Sequence, residues 1–419
     1  MEKTIKKLKL ASEDQETSNK VEDKIVSSIK DNWLTGKAHR TSIFTHGYKI
    51  ITCLQFDNQR IVSGSEDGAI NVFETSSGKK LHTLKGHKGG VWALEYVDNT
   101  LVSGSTDKTI RIWDLESGEC KYVFSGHENT IRCLQIIIPE PSTTQFNSDG
   151  TPKLEPEHTL VVTGSRDTNL IVWKLPSIAE NDVITDSNGT HLSELEQNSY
   201  HLAILNGHTQ SVRALAAKGS IIVSGSYDND VKVWDLTDFT CRHTLKGHNK
   251  KIYCVALDTE RNRCASGGLD LTVRVWNMET GECIWTLEGH NLLIGFLEIS
   301  PKYIVSAAAD SSVRVWDSET GELKRIFKAN SSAITCLQYD NNKVIYGYED
   351  GVKIGYIENS NNRKDVELVG DLTGCWQVKS NEKYCVVAAN MENDMNLLSI
   401  FNFEVGEGEE PKIINLESE

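Results

Sequence analysis

A chain of 419 residues carries 59 acidic against 44 basic side chains, a formal net charge of −15 at pH 7. That balance argues against nucleic acid as the main ligand, because gripping a phosphate backbone takes a dense basic surface. No apolar run reaches membrane-spanning length, no hydrophobic leader is seen, and the ten cysteines form neither a Cys-x-x-Cys pair nor a metal-ligand spacing, so a soluble nuclear or cytoplasmic protein with reduced thiols, no membrane contact and no cofactor is expected.

In chain order, Val21, Ile25, Ile29 and Trp33 recur every four residues and predict an amphipathic helix from about 19 to 34. The segment HRTSIF (39–44) then reads as a strand without a hairpin partner. Beyond it a Ser-rich run (SGSED, SGSTD, TGSRD, SGSYD, SGGLD, SAAAD) delivers Asp67, Asp107, Asp167, Asp228, Asp270 and Asp310 into tight turns, and Asp350 follows, at intervals of 40, 60, 61, 42, 40 and 40 residues. Five of these aspartates are preceded by a Gly-His pair ending at His87, His127, His208, His248 or His290. Six are followed by an aromatic that closes a hydrophobic strand, at Phe73, Trp113, Trp173, Trp234, Trp276 and Trp316. A period near 40 with Gly-His, Asp and Trp-Asp resembles the WD-repeat signature of a propeller blade.

Within one unit, VWALEY (91–96), LVSGS (101–105), IRIWDL (110–115) and CKYVFSG (120–126) are short segments rich in β-branched and aromatic residues, separated by turn formers. Four such strands are too few to stand alone, so blades must pack around an axis. First strands number eight: ITCLQF, VWALEY, IRCLQI, VRALAA, IYCVAL, IGFLEI, ITCLQY and CWQVKS, the last in a unit with no Gly-His or Trp-Asp. The expected fold is therefore all-β, an eight-bladed WD-repeat β-propeller over residues 38–405. A short helical N-terminal segment (1–37) precedes it, and a solvated acidic tail (406–419) follows. HRTSIF is expected to complete the eighth blade, with PKIINL (411–416) the competing candidate. Two insertions in the third blade, 139–158 and 175–200, are Pro, Ser, Asn and Glu rich and read as flexible loops. Cys53, Cys133, Cys254 and Cys336 share one position of the first strand and read as core thiols.

The recurring His, Ser or Thr, Asp and Trp are expected to form one buried hydrogen-bond network per blade. No nucleophile, carboxylate pair or phosphate loop stands outside the repeat, so the protein is not expected to be an enzyme. Stacking the repeats is more informative. The second residue of each first strand gives a ring of Thr52, Trp92, Arg132, Arg213, Tyr253, Gly295, Thr335 and Trp376. The residue before each turn Asp gives a second ring of Glu66, Thr106, Arg166, Tyr227, Leu269, Ala309 and Glu349, and Lys108 follows Asp107. Arginines gathered without carboxylates repel one another unless an anion is the guest, and a phosphate that guanidinium groups can grip bidentately fits. The aromatics would contact residues flanking the phosphosite. The competing reading pairs these arginines with Glu66, Glu349 or loop carboxylates.

The stretches GHKGGVWALEY, LVSGSTDKTIRIWDLESGEC, VVTGSRDTNLIVWKLP, SVRALAAKGSIIVSGSYDNDVKVWD and YIVSAAADSSVRVWD resemble the F-box/WD-repeat substrate receptors of cullin-RING ubiquitin ligases. The resemblance implies binding of phosphorylated protein substrates at Ser/Thr-Pro degrons. It places the phosphate among Arg132, Arg166 and Arg213, with contacts from Trp92, Thr106, Thr130, Tyr227, Tyr253 and Trp376. Lys108 and Lys251 stand where the family carries arginine, which keeps charge and loses the fork. The Leu-Pro opening of an F-box is not found in these residues, so contact with a cullin-RING ligase adaptor is expected only if an F-box is supplied. The alternative is a WD-repeat scaffold of a signalling or assembly complex, indifferent to phosphorylation.

Overall fold

The computed structural model describes residues 24–147, 149–178, 190–191, 200–330, 332–340, 342–358, 364–391, 395–406 and 408–416. Eight sheets, each built on four antiparallel ladder-paired strands, follow one another around an axis. Blade 2, for example, runs outward from Val91–Val97 through Thr100–Ser105 and Ile110–Asp114 to Cys120–Phe124. Innermost strands touch in sequence order, and the ring closes where Ile51–Phe56 of blade 1 meets Gly374–Ser380 of blade 8. There Gln377 donates to the Thr52 carbonyl at 3.2 Å.

Close approach between blades explains the glycine of the Ser-Gly-Ser runs. A Cβ built on Gly64 would lie 2.6 Å from Cys53 Sγ and 3.0 Å from Val91 Cγ1 of the next blade. Gly104 meets Ile131, Gly164 meets Val212 and Gly347 meets Cys375 in the same way. Burial pushes the Cys53, Cys133 and Cys254 thiols up to about 12, the behaviour of packed rather than reactive cysteines.

Five blades carry the complete polar network. In blade 3, His127 bonds Asp167 at 2.8 Å through Nδ1 and Thr163 at 2.8 Å through Nε2, and Trp173 Nε1 donates to the same Thr163 hydroxyl at 3.1 Å. Blades 2, 4, 5 and 6 repeat it with His87, His208, His248 and His290. Burial alone would raise the Asp228 and Asp270 carboxyls, but their histidine and backbone N–H partners hold both down at about 2. Blade 1 improvises. His46 of Thr-His-Gly, not a Gly-His pair, reaches Ser63 at 3.0 Å, and Phe73 fills the indole's place. Asp167→Ala strands the His127 N–H and the Glu128 amide, which donates to the carboxylate at 2.8 Å. A loss of about 1–3 kcal/mol is expected in urea unfolding.

A second girdle lines the channel. Gln55 both accepts from Tyr96 N at 2.6 Å and donates to Tyr96 O at 3.1 Å, tying blade 1 to blade 2, and Gln338 ties blade 7 to blade 8 through Ser380 in the same two-bond clasp. Glu95 occupies the equivalent place in blade 2, where it accepts from Ile136 N at 2.6 Å. Glu298 occupies it in blade 6 and accepts from Tyr339 N. A carboxylate has no N–H with which to complete the clasp. Burial raises both glutamates to about 7, although Lys379 and the accepted amides pull the other way.

The eighth blade differs from expectation in one respect. His39–Phe44 takes the outer place, antiparallel to Asn396–Asn402, so residues from the two ends of the propeller share one sheet. Ile413–Leu416 does not compete for that place. It adds beyond it as a fifth, parallel strand, so a segment expected to be solvated is partly ladder-paired, because its Ile-Ile-Asn-Leu run offers strand formers among glutamates.

The insertions also differ. Glu140–Phe146 and Pro152–Glu155 form a hairpin rather than a loop. Its turn is closed by Asn147 N to Thr151 O at 2.8 Å and by Asp149 accepting from Thr151 N and Oγ1. In the second insertion Thr190–His191 pairs parallel to Tyr122 and Val123 at the edge of blade 2, while 179–189 and 192–199 lie outside the described residues. The helix runs over 24–35 within the described residues, and the predicted start at 19 and Val21 fall outside them. Trp33 anchors it, stacked on Phe403 with centroids 3.6 Å apart and donating to Glu382 O at 2.7 Å. Ile25 remains exposed, unlike Ile29.

Candidate functional site

One backbone device builds the ring. In blade 3 the ladder passes from Ile131 paired with Ser165 to Cys133 paired with Gly164, leaving Arg132 as the extra residue of a β-bulge. Thr52, Trp92, Arg213, Tyr253, Gly295, Thr335 and Trp376 are skipped in the same way. A bulge re-aims its side chain out of the sheet's alternation, so eight bulges at one height set seven side chains and Gly295 around the mouth of the channel. The second ring is tied to the first through the backbone: Arg166 N donates to Thr130 O at 2.9 Å, Thr106 N to Gly90 O at 2.9 Å and Tyr227 N to Ser211 O at 3.0 Å. Lys108 sits just past the turn aspartate at φ +71°, a left-handed turn position shared by Thr168, Asn229, Leu271 and Ser311.

The cationic side chains converge. Arg132 lies 5.5 Å over the Trp92 ring, Arg213 lies 6.0 Å over Tyr253, Lys251 lies 4.8 Å over Tyr227, and the two tyrosine rings are 5.2 Å apart. Burial, followed by the positive fields of Arg213 and Arg166, lowers the Arg132 guanidinium from its ordinary value. Arginines that sense one another in this way form a single patch of potential.

Among the described residues, none of Lys108, Arg132, Arg166, Arg213 and Lys251 lies in an ion pair. The pairing with Glu66 and Glu349 does not form: Glu66 lies 3.9 Å from Lys49 instead, and Glu349 is in no ion pair among those residues. Trp92 is 41% exposed, Arg166, Lys108, Lys251 and Thr106 are exposed, and Arg132, Arg213, Thr130, Tyr227 and Tyr253 are half-buried. Trp376 stands on the ring but turns to its own blade, donating from Nε1 to Asn390 Oδ1 at 2.9 Å.

The face has an apolar margin, of which Leu269 belongs to the second ring and Leu292 to neither ring. Leu269 and Leu292 are 37% and 53% exposed, on the side of Tyr253 toward blade 6, where Gly295 adds no side chain. The signal for Leu292 was present in the sequence. Leu292 stands where the other blades with a Gly-His pair carry Gly89, Asn129, Gln210 and Lys250. Rigid backbone, clustered guanidinium groups without carboxylate partners, and aromatic faces beside them make a surface suited to a multiply charged anion set in an apolar chain.

Comparison with known proteins agrees with the fold. The family model described as WD domain, G-beta repeat matches residues 38–74, 78–114, 118–174, 199–235, 239–277 and 281–317. The matches stop before blades 7 and 8. Cell division control protein 4 of Candida albicans is 43% identical over 90% of this chain and 55% of its own length, and cell division control protein 4 of Saccharomyces cerevisiae is 36% identical over 90% and 49%. F-box/WD repeat-containing protein sel-10 of Caenorhabditis elegans is 30% identical over 54% of this chain and 46% of its own length. The chain thus spans about half the length of these curated relatives. Among solved structures, the computationally designed Ika8 protein superposes with a TM-score of 0.67 at 26% identity, over 87% of this chain and 99% of its own. With eight ladder-paired blades, five complete His-Asp-Ser/Thr-Trp networks and family matches along six repeats, the chain belongs to the WD40, or G-beta, repeat family.

Proposed function

We propose that this propeller is the substrate-recognition part of a ubiquitin ligase and that its basic half-face, blades 2 to 5, binds proteins phosphorylated at Ser/Thr-Pro sites. The observation that carries the reading is Arg132 held in the positive field of Arg213 and Arg166, with no carboxylate in an ion pair with any of the three among the described residues. Such a cluster is costly when empty and favourable around phosphate, which brings roughly 1.5 to 2 negative charges at pH 7. Trp92, Tyr227 and Tyr253 supply flat apolar faces for the residues beside the phosphate, proline included. The printed name of the Caenorhabditis elegans relative joins WD repeats to an F-box, and delivery to a cullin-RING adaptor through such a module would complete the role. The propeller's own contribution is recognition, with no chemical step required of it.

A fluorescence-polarisation titration with a Thr-Pro phosphopeptide and its unphosphorylated twin tests this. Charge-assisted hydrogen bonds contribute about 1.5–3 kcal/mol each, so two of them separate the twins by roughly 100-fold or more. Arg132→Ala is expected to remove most of that difference while leaving the weak binding of the unphosphorylated twin unchanged. Equal affinity for the twins would instead assign the face to phosphorylation-independent docking.

A further inference from the structure

The outer edge of blade 8 combines a firmly built acceptor strand with a loosely held occupant. His39–Phe44 pairs through six residues with Asn396–Asn402 and buries Ser42 and Ile43. On its other side only four residues pair, Arg40 to Ile43 with Ile413 to Leu416, and Ile413 and Ile414 remain 71% and 50% exposed. Two side-chain contacts give this short strand its address. Leu416 Cδ1 enters a slot left by Gly78 of the neighbouring blade, 3.1 Å from where a glycine Cβ would stand and beside Ile43 and Thr41. At the other end Glu409 Oε1 lies 3.6 Å from His39 Nε2, while Lys412 N donates to His39 Nδ1 at 3.0 Å. The same mode of addition recurs at blade 2, where Thr190–His191 joins the outer strand in parallel.

We propose that the edge presented by His39–Phe44 is a docking site for an extended segment of a partner protein that carries an acidic residue seven positions ahead of an aliphatic anchor, and that Ile413–Leu416 occupies it in cis as a placeholder. Main-chain ladder bonds supply affinity in strand addition, and side-chain pockets supply selectivity. Here the Gly78 slot selects the aliphatic anchor and His39 the acidic residue. The placeholder lowers the apparent affinity of a partner by the fraction of time the edge is covered.

The test uses the full chain carrying Ile414→Pro and Asn415→Pro, which removes two strand N–H groups, and a fluorescein-labelled octapeptide of sequence EEPKIINL, residues 409–416. The octapeptide is expected to bind the double-proline chain about tenfold or more tighter than the unsubstituted chain. Alanine in place of its final leucine, or lysine in place of its first glutamate, is expected to reverse that gain. Binding to the double-proline chain no tighter than that of a scrambled octapeptide, with near-ultraviolet circular dichroism intact, overturns the proposal. A second measurement needs no variant: in the unsubstituted chain the amides of Ile413–Leu416 are expected to exchange hydrogen roughly 100-fold faster than those of Asn396–Asn402. Equal protection of the two strands overturns the placeholder. Concentration-dependent dimerisation of the unsubstituted chain in sedimentation equilibrium, lost in the double-proline chain, would assign the edge to a second copy and overturn the partner reading.

Discussion

Arg166→Glu is expected to lower affinity for a Thr-Pro phosphopeptide by roughly 100-fold or more while leaving the propeller folded. The residue is exposed, its side chain lies in no ion pair among the described residues, and its position is set by a backbone bond from its N–H to Thr130 O that any L-residue can make. Substitution with glutamate removes a donor and places a negative charge inside the field that Arg132 senses. Under the proposed function, a phosphate dianion then meets repulsion in place of a guanidinium fork. The expected control is an unchanged urea midpoint and unchanged near-ultraviolet circular dichroism. Phosphopeptide affinity within a few-fold of the original would remove Arg166 from the binding surface. Loss of soluble protein would instead make the residue a structural one.

The second large effect concerns stability and pH. Glu95 and Glu298 are raised from 4.5 to about 7 by burial in the channel wall. The folded state therefore favours the protonated acid. Stability from this source is complete below the unfolded carboxyl value and is lost as pH rises through about 7. A tenfold change in proton affinity corresponds to about 1.4 kcal/mol, so each glutamate costs on the order of 3 kcal/mol at pH 8 relative to pH 4. Glu95→Gln with Glu298→Gln should abolish that slope and raise stability at pH 8. Glutamine is neutral and can complete the two-bond clasp that Gln55 and Gln338 already make. Urea unfolding at pH 6 and pH 8 checks it: a variant no more stable than the parent at pH 8 would show that water, rather than protein, surrounds these carboxyls.

The blade could be read from residues because its determinants are local. Turn aspartates, β-branched runs and Trp-Asp endings each act within a few positions, and repetition near 40 residues multiplies the signal. The ring of second residues was legible for the same reason, since equivalent positions in successive repeats stand at equivalent heights. What raises those residues was not legible. A bulge is a property of two strands in register, and nothing in Ile-Arg-Cys or Val-Trp-Ala alone shows that the middle residue will be skipped. His46 escaped notice because its glycine follows it instead of preceding it, yet packing brings the imidazole to Ser63. The first insertion of blade 3 lacked alternation and still forms a hairpin, because turn bonds around Asp149 close it.

The repeat, the number of blades, the five Gly-His networks and the residues around the channel mouth are legible in the chain itself, since each recurs at a fixed spacing of equivalent positions. Tertiary structure alone decided that Arg132, Arg166 and Arg213 share one electrostatic field without carboxylate partners among the described residues. It alone decided that Glu66 turns to Lys49 and that Ile413–Leu416 lies beside His39–Phe44. Those outcomes depend on distances between groups that no repeat spacing specifies, and such distances exist only once the toroid has closed.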